Sequence, residues 1–184
     1  MKQLSMDELN RPDPEQYKDS EKIPIVVVLD NIRSGLNVGA IFRTCDAFMI
    51  KSIYLCGITV QPPHAEILKT ALGSSDTVTW HYREKTIQAI QELLVENYTV
   101  VPVEQTDKSI LLDQADLPVL FPLALVFGNE MRGISSDVLS LCEKSLEIPQ
   151  EGTKHSLNVA TTAGIVLWEC YRQFRLRRFL SSSL

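Results

Sequence analysis

Residues 25–29 read Ile-Val-Val-Val-Leu, a continuous β-branched run, and the polar cluster Asp30-Asn-Ile-Arg-Ser-Gly-Leu-Asn37 follows at once. A short apolar run without alternation predicts a strand covered on both faces. Val38, Ile41, Phe42, Cys45 and Phe48 then recur at helical spacing and predict a helix over 37–48. The same change of period repeats down the chain. Short apolar runs predict strands at 52–56, 77–82 (an edge), 98–103, 123–127 and 146–148. Helical spacing predicts helices at 64–72, 84–96 and 136–141, and a long one from about 158 to 177. Strands alternating with helices of this length indicate an α/β fold, a mostly parallel sheet flanked by helices. Residues 1–22, polar and carrying Pro12 and Pro14, read as an N-terminal arm or short helix. Without repeats or a linker in the remainder, 23–184 reads as a single domain ending in a basic helix.

Composition narrows the class. A chain of 184 residues allows one domain with a real core. Its 45% hydrophobic and 22% charged content is that of an ordinary globular chain. No apolar run approaches the roughly 18 residues of a membrane span. Residues 1–10 are polar and acidic, unlike a secretory signal, so a cytoplasmic protein is expected. Cys45, Cys56, Cys142 and Cys170 are scattered without CxxC spacing or nearby histidine pairs, so they read as small hydrophobes, and no metal site is expected. The net charge of −5 argues against a nucleic-acid partner. Its distribution softens that reading. Arg172, Arg175, Arg177 and Arg178 lie in a C-terminal stretch without acids, whereas the first 22 residues hold more acids than bases. These arginines either extend an anion-binding surface or end a helix favourably against its dipole.

Three segments share one design: an apolar strand, a polar glycine-bearing loop, then a helix. They are 31–43, Leu123-Ala-Leu-Val-Phe-Gly-Asn-Glu-Met-Arg-Gly133, and Ile148-Pro-Gln-Glu-Gly-Thr-Lys-His-Ser-Leu-Asn-Val-Ala160. In a parallel sheet such loops emerge at one edge, where ligands bind in open α/β folds. Two asparagines and two arginines in the first segment suit a polyanion. The glycines of the second let backbone amides approach a ligand, or only make a tight connection. Neither a GxxxxGK[ST] loop nor a GxGxxG fingerprint occurs. In the third, Ser156 or Asn158 caps the next helix or takes part in a site. Glu130 is equally a solvated turn acid or a site carboxylate.

All three segments resemble the signature motifs of the SPOUT-class RNA 2′-O-ribose methyltransferases, the TrmH (SpoU) family. The first motif is matched by Asn37-Val-Gly-Ala-Ile-Phe-Arg-Thr-Cys-Asp-Ala-Phe48, the second by Gly128-Asn-Glu-Met-Arg-Gly133, and the third by Ile148-Pro149 with Ser156-Leu-Asn-Val159. Order and spacing agree over about 24–170. The resemblance implies a deep C-terminal trefoil knot, against the usual rule that chains do not thread loops. It also implies a homodimer whose subunits share the active site, and S-adenosyl-L-methionine as cofactor. By matching position, Arg43 is the main catalytic residue with Asn37, Glu130, Ser156 and Asn158 around it. Val103, Glu104, Gly128, Ile148, Ser156 and Leu157 are expected at the cofactor. Ala160 stands where the third motif usually has another serine, Gln150 where it often has methionine, and Met49 where glycine is common.

The implied reaction is methyl transfer to a ribose hydroxyl of RNA, transfer RNA first and ribosomal RNA second. The transfer needs alignment more than a metal. An arginine is an awkward general base, so Arg43 is read as orienting the hydroxyl and stabilising its developing charge. The alternative for Arg43 is a surface ion pair with Asp46. Arg33, Arg132 and Lys154 are candidate RNA phosphate contacts, or solvated loop charges. Two rival functions stand beside the enzyme. A non-catalytic RNA-binding protein or chaperone is disfavoured by the intact motif set, and a small-molecule nucleotide enzyme by the missing phosphate-loop fingerprints.

Overall fold

The computed structural model describes residues 1–5 and 7–181. In chain order the elements are α1 (Pro14–Asp19), β1 (Ile23–Asp30), α2 (Gly35–Ala47), β2 (Ile50–Cys56), α3 (Ala65–Ala71), α4 (Ser74–Thr77), β3 (Trp80–Arg83) and α5 (Thr86–Val95). There follow β4 (Thr99–Pro102), β5 (Ser109–Leu111), β6 (Leu123–Phe127), α6 (Ser136–Leu139), β7 (Ser145–Glu147) and α7 (Val159–Ser181).

Five strands form one parallel sheet in the order β3-β2-β1-β6-β4. Its centre is β1, whose apolar run is buried on both faces as its lack of alternation predicts. The pleat sorts that run. Ile25, Val27 and Leu29 face the larger core with Val38, Ile41, Phe42 and Cys45 of α2 and Ala163, Val166 and Leu167 of α7. Val26 and Val28 face the other layer, with Ala89, Ile90 and Leu93 of α5 and Val138 of α6.

The strand order reverses at the centre: β2 and β3 lie on one side of β1, whereas β6 and β4 lie on the other. The loops after β1 and β6 are therefore neighbours at the carboxyl edge, the arrangement that opens a ligand crevice. A second, two-stranded parallel sheet joins β5 to β7, and Val103 bridges Leu146 to tie it to the end of β4. The sequence pattern does not disclose β5, because three half-buried residues carry too little periodicity. The edge strand expected over 77–82 begins later, at Trp80, because Ser74–Thr77 form a helical turn.

Residues 14–19 form a short helix with an Asp13–Gln16 capping box, and Tyr17 is buried in the main core. The N-terminal segment is thus anchored to the sheet domain. Among the described residues no helix is long and apolar enough to cross a membrane, and no group of His, Cys, Asp and Glu is arranged to hold a metal ion.

Candidate active site

The three glycine-bearing loops meet. The second and third, together with the end of β4, enclose a cleft of about 460 Å³, lined by Val103, Glu104, Gly128, Glu130, Ile148, Ser156, Leu157 and Asn158 among others, and the first is joined to them by hydrogen bonds from outside its wall. All six residues expected at the cofactor are in its wall. Three of its residues are carboxylates (Glu104, Glu130 and Glu147), and none is Lys or Arg. A cleft with that lining favours a cation over an anion.

Close backbone approach builds the second loop. Asn129 and Gly133 exchange backbone hydrogen bonds of 3.1 and 2.9 Å, closing a tight turn. Gly133 has φ +65°, and a Cβ there would be strained and lie 2.5 Å from Glu104 Oε2, so a side chain would displace that carboxylate. The Ile134 amide donates to the same Oε2 at 3.3 Å, which locks this loop to the one after β4. Asn129 is the staple. Its Nδ2 donates to the Asn31 carbonyl at 2.6 Å, and its Oδ1 accepts from the amides of Met131 and Arg132. Residue type gave no cue to this role, because Asn129 reads as an ordinary turn asparagine beside Glu130.

A hydrogen-bonded chain crosses from the first loop to the third. Asn158 Nδ2 donates to Asn37 Oδ1 at 3.2 Å, and Asn37 Nδ2 donates to Glu130 Oε1 at 3.1 Å. Partial burial works to raise the Glu130 pKa. The hydrogen bonds from its own amide, the Asn37 side chain and the Arg33 and Ser34 amides outweigh it and hold the carboxyl below its ordinary value. Glu130 is therefore more than a solvated turn acid. Asn158 caps α7, its Oδ1 accepting from the amides of Ala160 and Thr161, while its Nδ2 binds Asn37. Ser156 is exposed in the cleft wall.

Other expectations change. Asn31 does not face an anion: its side chain donates to Asp30 and accepts from the Ile58 amide. Arg43 is not in the cleft. It is exposed in a separate groove between α2 and α3, lined also by Thr44, Phe48, Lys69 and Thr70. The reason is helical geometry. Six residues from Asn37 advance about 9 Å and turn through about 600°, so the two side chains leave α2 on different sides. The ion pair of Arg43 with Asp46 is not formed among the described residues; Asp46 accepts instead from Thr77 Oγ1 at 2.6 Å. Arg33, Arg132 and Lys154 are exposed near the cleft mouth but outside its wall.

The C-terminal arginines are largely engaged within the chain: Arg172 binds Glu169 through two donors, Arg177 lies 3.7 Å from Asp116, and Arg178 lies 3.7 Å from Glu21. The sequence does not mark Gln105 and Thr162 of the cleft wall. These side chains carry no distinguishing motif and enter the wall only because their loops converge.

The model of the SpoU rRNA Methylase family matches residues 24–168. A tRNA (guanosine(18)-2′-O)-methyltransferase of Aquifex aeolicus is 31% identical over 155 residues, 81% of this chain and 69% of that protein. The crystal structure of the A. aeolicus TrmH/SpoU tRNA modifying enzyme superposes with a TM-score of 0.78 at 27% identity, over 91% of this chain and 83% of that one. An AdoMet-bound rRNA methyltransferase from Sinorhizobium meliloti superposes with a TM-score of 0.76 at 28% identity, over 85% of this chain and 59% of that one. This chain thus spans less than two thirds of some of the proteins it matches. The matched region holds the parallel sheet, the cleft and all three loops, and this chain belongs to the SpoU rRNA Methylase family.

Proposed function

We propose that this chain transfers a methyl group from S-adenosyl-L-methionine to a ribose 2′-hydroxyl of RNA, with transfer RNA the preferred substrate and ribosomal RNA second. The observation that carries the proposal is one carboxylate-lined cleft between the second and third motif loops, to which the Asn158–Asn37–Glu130 chain ties the first. A homologue with this fold is described as AdoMet-bound.

The residues present fit that cofactor. The cleft volume lies in the range of small-molecule sites. Apolar walls from Val103, Leu146, Ile148 and Leu157 suit a flat heterocycle, and the carboxylates suit a ligand carrying ammonium and sulfonium charges. When bound, the cofactor supplies an electrophilic methyl group whose sulfonium charge disappears on transfer. Val103, Glu104, Gly128, Ile148, Ser156 and Leu157 would hold it, with exposed backbone groups of the loops as polar partners. Asn37, Glu130 and Asn158 keep the loops in register and fix where the acceptor oxygen is presented. Arg43 orients the ribose hydroxyl and stabilises the negative charge that develops on its oxygen. Arg33, Arg132 and Lys154 hold the RNA backbone outside the acidic cleft.

The active unit is a homodimer. The chain's own Arg43 lies outside its own cleft, and α2 and α7 leave an apolar face uncovered: Ile165 is 38% exposed and Trp168 50%. A second copy packed on that face brings its Arg43 toward the cleft. The reading also includes a single methyltransferase domain over 23–184 behind the arm 1–22, a trefoil knot in the segment that forms the third loop, and a cytoplasmic setting.

The test is labelled methyl transfer into fractionated cellular RNA, followed by nuclease digestion and nucleoside identification. A labelled 2′-O-methylnucleoside in the tRNA fraction is the expected result. Cofactor binding without transfer to any RNA class would favour a non-catalytic RNA-binding protein, and no thermal shift with S-adenosyl-L-methionine would remove the cofactor assignment.

A further inference from the structure

The groove between α2 and α3 holds two cations that nothing in the cleft uses. Arg43 and Lys69 both line it, both are exposed, and neither has a hydrogen-bond or ion-pair partner among the described residues. No carboxylate lines it. The acids nearest in sequence are committed elsewhere: Asp46 accepts from Thr77, and Glu66 accepts from the Gly35 amide at 3.1 Å. The two hydroxyls of the groove have spent their protons on helix carbonyls. Thr44 Oγ1 donates to the Ala40 carbonyl at 3.0 Å, and Thr70 Oγ1 to the Leu36 carbonyl at 2.9 Å. The donors left facing the groove are therefore charged, which suits an anion and not a neutral polar ligand.

The placement of the two cations is built in. A Cβ on Gly39 would lie 2.2 Å from Thr70 Oγ1 and 2.5 Å from the Ile67 carbonyl, so the missing side chain lets α3 seat directly on α2. Arg43 stands four residues after Gly39 and leaves α2 on the same face, beside α3. Lys69 is the neighbour of Thr70, the residue that touches Gly39. The close helix contact thus places a lysine next to the arginine assigned to the ribose.

We propose that Lys69 binds the phosphodiester adjoining the target ribose while Arg43 addresses its 2′-hydroxyl. This rests on the RNA methyltransferase reading above. The 2′-oxygen of an internal nucleotide is carried on the carbon next to the one bearing the 3′-phosphate ester, so a cation beside the residue that meets one also meets the other. Lys69 supplies a point charge without reading sequence, and its role is to position the strand.

The experiment uses the full chain as wild type, Lys69→Ala and Lys69→Glu, with Lys18→Ala on α1 as control. RNA binding is measured by fluorescence anisotropy against bulk tRNA at several salt concentrations, together with methyl transfer, cofactor binding and oligomeric state. Lys69→Ala is expected to weaken RNA binding by about tenfold at low salt and to lower the log–log salt slope by about one. Lys69→Glu is expected to weaken it further, with cofactor affinity and oligomeric state unchanged. Wild-type affinity and salt slope in Lys69→Glu would overturn the proposal while leaving the methyltransferase reading intact. A changed oligomeric state in Lys69→Glu would also overturn it, since a second copy would then fill the groove. Lys69-dependent RNA binding without any methyl transfer by wild type would sink the methyltransferase reading and keep the groove as an RNA site.

Discussion

Single residues in this molecule act through what they leave unpaired or hold in place. Arg43 makes no side-chain hydrogen bond or ion pair among the described residues, so removing it should spare the fold. Arg43→Ala is expected to lower kcat at least about a hundredfold with unchanged cofactor affinity, the scale of losing one charge-stabilising donor. Arg43→Lys should rescue little, because an ammonium cannot reproduce the planar fork of donors. Single-turnover methylation measures both, and near wild-type rates in Arg43→Ala would end the assignment. Glu130 is the opposite case, a carboxylate surrounded by donors. Its folded pKa lies below the ordinary 4.5, so it stabilises the fold at pH values above the ordinary one and ceases to as pH falls through the folded one. Urea titrations of wild type and Glu130→Gln should therefore differ near neutral pH, and the difference should shrink as pH falls below 4.5 and on through the lower folded pKa. A pH-independent difference would mean that the Asn37–Glu130 contact does not depend on ionisation.

At the scale of elements, the fit of α3 on α2 is decided by one absent side chain. Gly39→Ala drives a methyl group into Thr70 and the Ile67 carbonyl, and overpacking of this kind costs about 1–3 kcal/mol. Chemical denaturation should register that loss, and RNA binding should weaken with it because the Arg43–Lys69 groove widens. An unchanged midpoint would show that the two helices tolerate a wider spacing.

The elements also show which signals a sequence carries. β1 and β6 are legible because both faces are buried and the apolar run is unbroken. The helices α2 and α5 are legible because one stripe faces the core. The short β5 is not, and neither is the turn of helix at 74–77, because each owes its form to contacts outside itself. Among site residues, Asn37, Glu130 and Asn158 were marked by motif, but their joining into one hydrogen-bonded chain depends on three loops distant in sequence.

For the whole molecule, charge and apolar surface divide the work. Carboxylates line the cleft, while arginines and lysines lie outside it, a separation suited to a cationic cofactor within and a polyanionic substrate without. The α2–α7 face carries Phe48, Trp168 and Tyr171 in mutual ring contact, with Phe48 and Tyr171 centroids 5.2 Å apart. Covering such a face by a second copy predicts elution at twice the 20.7 kDa chain mass. Ile165→Arg is expected to shift the protein toward the monomer in light scattering and to abolish methyl transfer while the isolated chain still melts cooperatively. A fully active monomer would show that one chain completes its own site.

The sequence by itself determined the parallel α/β class, the order of the long elements and the three loops that carry the motifs, because burial on one or both faces and motif spacing are written locally. Only the tertiary structure decided which of the marked residues meet. It joined Asn37, Glu130 and Asn158, turned Asn31 inward, and placed Arg43 in a different groove with Lys69. Those outcomes follow from strand order, helix rotation and the close approach permitted at Gly39, which act between segments far apart in the chain.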